Sequence, residues 1–396
     1  VVEAVVPVPG DAGRVGIGDV TLERVLDLRT GRGRDFDVRG DFKINATDFL
    51  DMTGSFDDIV ARIRRGGGSD VEPHMSFDGT RYLADDWETL YYFTLTANFE
   101  AAFAFARGAG DTSRATSDDE GERAIVGLFA SIVLTDFVPL PLVSSDNAAY
   151  APPVDGWLAL RTAIQDGVPF GMHRGVIAHE FGHRLFFHNA FSSVDGGFEV
   201  WQADNGAPAD DAAGIRAQML LKGIDEGLAD VFAMAALTDK DAVNAAFAGA
   251  GSFFTDAFTD EAVRRDVEGP FADAATYDNL RTLTLDTDHL QSCGLTTAEF
   301  GGTFNFYCVG TVVAATLWEA AGNDATVLRS ELQPAVIAAL PKVGEALVNG
   351  AAFDLDLFFE PLAQTVSPGA RRDALCAAVT RRLESLVTAG RIPTCS

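Results

Sequence analysis

The chain has 396 residues, more than one ordinary globular domain, and its 47% hydrophobic content with 29 Phe is that of a folded protein with a large core. Asp and Glu number 58 against 30 Lys and Arg, a formal net charge of −28. Such a field repels nucleic acid and anionic lipid, which excludes both as principal partners, and no stretch is long and apolar enough to predict a membrane-spanning segment.

Residues 1–84 are rich in Gly and Asp, with short alternating runs such as Val20-Thr21-Leu22-Glu23-Arg24-Val25-Leu26. They predict a β-rich region of hairpins and turns. Asp85-Asp86 caps a predicted helix from Trp87 to about Arg107. A polar loop follows over 108–122, then a buried strand over 124–136. Further strands are expected at 146–150 and 156–160, around a Pro-Pro turn. Helices are predicted at 173–189, 218–236, 306–321, 327–348 and 369–390. This divides the chain into a region 1–84, a sheet-containing segment 85–217 and a helical segment 218–396, an α+β organisation.

All four cysteines, Cys293, Cys308, Cys376 and Cys395, lie in the last third. Three pairings are open, and neighbour with neighbour closes the two shortest loops. Each such bridge stabilises by roughly 3 kcal/mol. Disulfides predict an extracytoplasmic address, with four reduced core thiols as the alternative. The start, Val1-Val2-Glu3-Ala4, has no initiator Met and no leader pattern, and reads as a processed chain.

The chemistry concentrates in Val176-Ile177-Ala178-His179-Glu180-Phe181-Gly182-His183-Arg184-Leu185. Two His four residues apart share one helix face and offer two imidazoles to one metal ion. Glu180 projects about 100° round the helix, toward a metal-bound water rather than the metal. An accidental match is expected in fewer than roughly one in a hundred such chains. The bland alternative, a solvated polar face, sits badly with Val176, Ile177, Phe181, Leu185, Phe186 and Phe187 around it. A third His six residues beyond the motif would mark one class of zinc peptidase, but position 189 is Asn189. Instead Glu226 and Asp230 follow at i and i+4 in Gly223-Ile224-Asp225-Glu226-Gly227-Leu228-Ala229-Asp230. Glu226 completes a His₂Glu ligand set, and Asp230 is placed to orient a ligating imidazole.

These residues resemble the gluzincin metallopeptidases, both thermolysin-like and fungalysin-like. The likeness extends upstream to Asn147-Ala148-Ala149-Tyr150 and downstream to the segment from Gly310 to Glu319, covering roughly 145–320. It implies a two-lobed zincin fold, with a mixed sheet-containing N-terminal lobe, a mainly helical C-terminal lobe and zinc in the cleft between. It implies a secreted zinc metalloendopeptidase acting on peptides or proteins, with one catalytic Zn²⁺ and Glu180 as general base. Asn147 and the backbone of Ala148 would hold an extended substrate.

Two departures concern the group that stabilises the oxyanion. No Tyr lies between His183 and Glu226, and Tyr307 stands where fungalysins carry a His. Tyr307 and His289 therefore compete for that role. A catalytically impaired, metallopeptidase-like binding module is the competing function. Calcium, which some relatives use, would fall to Asp35-Phe36-Asp37 or Asp286-Thr287-Asp288. His74, His173 and His188 are set aside as structural or surface groups.

Overall fold

The computed structural model describes residues 1–8, 11–40, 43–45, 68–111, 123–135, 138–139, 148–152, 155–160, 169–206, 212–243, 265–280 and 306–396. Asn147, Asp286, Asp288, His289 and Cys293 lie outside these residues. The chain packs as two compact units, one drawn mainly from Val1–Arg107 and Arg114–Arg184, the other from Gly108–Ser113, Leu185–Ala248 and Phe253–Ser396. Both helices and mixed sheets are present, in agreement with the α+β expectation.

The first unit begins with β1 (Val2–Val8) and β2 (Asp11–Val20), an antiparallel pair in which Val2 faces Val20. Strand β3 starts only at Val25 (Val25–Asp27), so the run 20–26 is broken. The reason is tertiary: the N–H groups of Glu23 and Arg24 donate to the buried carboxylate of Glu100. Next come β4 (Arg32–Gly33), β5 (Phe36–Gly40), β6 (Lys43–Asn45), β7 (Ser69–Asp70), β8 (Met75–Phe77) and β9 (Tyr82–Ala84).

Helix α1 (Trp87–Gly108) starts where Asp86 accepts the Thr89 N–H at 2.8 Å, and it carries Glu88 and Arg107 at the ends that suit its dipole. Strands β10 (Ala124–Thr135), β11 (Val138–Pro139), β12 (Ala148–Ala151) and β13 (Gly156–Leu160) complete the sheets.

A small sheet has the order β2-β1-β9-β8. The larger one runs β12-β13-β10-β5-β4-β3, with β6, β7 and β11 off that path. At its centre β10 pairs in parallel with β13 on one side and β5 on the other. Strand β12 lies at the end of this order, paired antiparallel to β13. Residues 1–84 thus supply strands to the sheet that β10 organises. The core of this unit is aromatic: Phe36 stacks on Phe103 at 5.6 Å, and Phe99 meets Trp157 at 4.6 Å.

Helix α2 (Arg174–Phe187) follows, and the chain passes into the second unit within it. That unit contains α3 (Gly197–Gly206), α4 (Ala212–Leu237), α5 (Phe306–Ala320), α6 (Gln333–Val348), α7 (Asp356–Thr365) and α8 (Ala370–Arg382). The helix expected over 369–390 is interrupted at Leu383, because the Arg382 carbonyl accepts the N–H of Tyr277 at 2.8 Å. The one expected from 327 begins at Ala325, capped by Asp324, and passes through a π-helical turn at Leu328–Leu332 before α6.

Cys376 and Cys395 form a disulfide with Cα atoms 4.8 Å apart. Cys308 is also disulfide-bonded, while its expected partner Cys293 falls outside the described residues. No helix among the described residues is long and apolar enough to cross a membrane.

Helices α4 and α5 touch at backbone level. A Cβ on Gly227 would stand 2.6 Å from the Gly310 carbonyl oxygen and 2.8 Å from Val313 Cβ, closer than side chains tolerate. Gly227→Ala is therefore expected to destabilise the protein by about 1–3 kcal/mol through overpacking, as read from denaturant midpoints. An unchanged midpoint would show that α4 and α5 do not meet at Gly227.

Candidate metal centre

The segment leading into α2 is anchored by α1, since the Asn98 side chain donates to the Met172 carbonyl at 3.2 Å. One side of α2 packs inward: Phe181 is fully buried, edge-on to Phe103 at 4.7 Å and stacked on Trp157 at 5.2 Å. That orientation turns His179 and His183 the other way, one above the other. Their rings are 4.8 Å apart and nearly perpendicular. His179 is only 5% exposed.

His179, Glu180 and His183 offer ligand atoms that all lie within 4.8 Å of one another, a group able to hold a metal ion. Two imidazoles and a carboxylate suit zinc and other borderline transition ions. Calcium and magnesium call for oxygen donors throughout.

Glu180 is held from the sheet. Its Oε2 accepts the Tyr150 N–H at 2.9 Å, and its carbonyl accepts the Trp157 indole N–H at 3.1 Å. Tyr150 belongs to β12, so its N–H points away from β13 and out of the sheet edge. By the strand's period of two, the backbone of Ala148 faces the same way. Among the described residues, the sequence-predicted substrate strand therefore lies at the end of the sheet order, beside Glu180.

The second unit holds another group. Glu226 and Asp230 share a face of α4, and Arg265 reaches both: Nη1 to Asp230 at 2.6 Å, Nη2 to Glu226 at 3.4 Å. The Arg265 guanidinium also lies 5.5 Å from the Tyr307 ring centroid. Tyr307, at the start of α5, is thus placed with Glu226 and Asp230 through Arg265.

Arg265 was not legible in the sequence, standing alone in Arg264-Arg265-Asp266 without a motif. Arg184 and Asp155, which are bonded to each other beside Glu180, were missed as well. For Arg184 a signal existed: a charge in an otherwise apolar buried helix needs a partner.

The other candidates resolve differently. Asp35 is bonded to Arg24 and Arg107, and Asp37 to Arg123, so these two of the suggested calcium carboxylates are met by arginines. His74 contacts Asp86 at 2.7 Å, a partner distant in sequence. His188 is buried against Phe187 in a π-helical turn after α2. No protein-family model matches this chain, and no curated protein matches it either.

Proposed function

We propose that this chain is a zinc metallopeptidase of the gluzincin type, hydrolysing peptide bonds outside the cytosol. The observation that carries the reading is the group His179, Glu180 and His183 on one helical turn, with Glu180 bonded to the edge strand β12. His179 and His183 would hold the ion. Glu226 is the proposed third protein ligand, on the strength of its sequence pattern with Asp230. Bound zinc supplies Lewis acidity, polarising a carbonyl and lowering the pKa of water toward ~7.

The protein's own groups do the rest. Glu180 takes a proton from the attacking water and delivers it to the leaving amine. The outward backbone of β12 accepts an extended peptide as an added strand, which favours unstructured chains as substrate. Tyr307 and His289 are the proposed alternatives for the donor to the developing oxyanion, on the strength of the sequence pattern. The disulfide Cys376–Cys395 supports the extracytoplasmic assignment.

The test is a cleavage profile on a peptide mixture from denatured protein, before and after chelation and after zinc is restored. Cleavage that vanishes with chelator and returns with zinc is expected. A metal-loaded protein that cleaves nothing overturns the peptidase reading in favour of a binding module.

A further inference from the structure

Arg184 directly follows the second His of the motif, yet it points into the core rather than toward the metal face. Its side chain is 1% exposed and enclosed by Phe103, Phe181 and Trp157, whose ring centroids lie 5.4, 5.8 and 6.0 Å from its guanidinium carbon. The guanidinium makes a two-pronged contact with Asp155: Nε to Oδ1 at 2.7 Å and Nη2 to Oδ2 at 2.9 Å.

Asp155 sits in the connection between β12 and β13 with φ of +44°, a left-handed backbone uncommon outside glycine. Its carbonyl accepts the Ile125 N–H from β10 at 3.0 Å, and its Oδ1 also accepts the Tyr150 hydroxyl at 2.9 Å. Tyr150 in turn donates its N–H to Glu180. The bonds form a closed circuit: Glu180, Tyr150, Asp155, Arg184, and back along one turn of α2.

An apolar side chain at 184 would fill this pocket without the cost of burying a charge, so stability alone does not account for the pair. What the fork supplies is orientation. We propose that Arg184 and Asp155 are positioning residues for Glu180. They lock the β12–β13 hairpin against α2, so that the outward N–H of Tyr150 holds one carboxylate oxygen of Glu180 in place. The proposal rests on the reading of Glu180 as the catalytic base.

Three variants separate the links. Tyr150→Phe removes the hydroxyl bond to Asp155 and keeps the ring beside Trp157. Arg184→Lys keeps the charge but loses the fork. Asp155→Asn weakens both contacts. Each is expected to retain parental zinc content and circular dichroism. Turnover should fall on the order of 10-fold for Arg184→Lys and Asp155→Asn, with KM shifted less than about 2-fold, because the base is misplaced and substrate binding is spared.

A second readout does not depend on activity. The Tyr150 amide, followed by hydrogen exchange, should exchange about 10-fold faster in Arg184→Lys and in Glu180→Ala, but not in Glu180→Gln, whose side-chain oxygen still accepts. Folded Arg184→Lys and Tyr150→Phe proteins that both keep parental kcat and parental exchange at the amide of residue 150 overturn the proposal. A parent protein that hydrolyses nothing, while Arg184→Lys and Glu180→Ala release the amide, overturns the peptidase reading and supports the positioning circuit.

Discussion

Glu180→Gln is expected to leave zinc content and fold unchanged while peptide turnover falls by about 10²-fold or more, since the side chain keeps its size but cannot take a proton. The structure adds a reason to expect a clean result. The contact from the Tyr150 N–H, 2.9 Å long, needs only an oxygen acceptor, and Gln offers one. The hairpin 150–157 and the indole contact to the Glu180 carbonyl should survive as well. Steady-state kinetics beside metal analysis reads the outcome. A Gln variant hydrolysing peptides at the parental rate removes Glu180 from the chemistry.

His183→Ala should lower bound zinc from about one per chain to well below that, and His179→Ala/His183→Ala should abolish it, because two of three protein ligands are gone. Turnover should vanish with the metal. The stabilisation by zinc, seen as a shift of the unfolding midpoint on adding the ion, should disappear too, since only a folded state that binds ligand gains from it. The measurement is metal content after extensive dialysis, paired with melting curves with and without zinc. Stoichiometric zinc in the double variant would mean that the ion is held elsewhere.

Long helices with apolar cores were legible, and α1, α2, α4 and α5 appear within a few residues of their expected ends or beyond them. Two shorter ones were not. Helix α7, with Pro361 inside it, lies outside the helices expected from sequence. It forms because Phe358, Phe359 and Leu362 are all fully buried in its helical form. Helix α3 opens on Gly196-Gly197, a poor start by propensity, and was not anticipated. In α7, packing overrides local preference.

By itself the sequence determined the helix face that carries His179 and His183, the place of Glu180 beside it, and the pairing of Glu226 with Asp230. Each depends on the 3.6-residue period and on nothing further away. Only the tertiary structure decided what those side chains meet. Tyr150 reaches Glu180 across 30 residues, Asp155 reaches Arg184 across 29, and Arg265 reaches Asp230 across 35. Such partners leave no periodic trace, because a charged side chain needs only a counter-charge in space, and strand order and helix packing choose which one it finds.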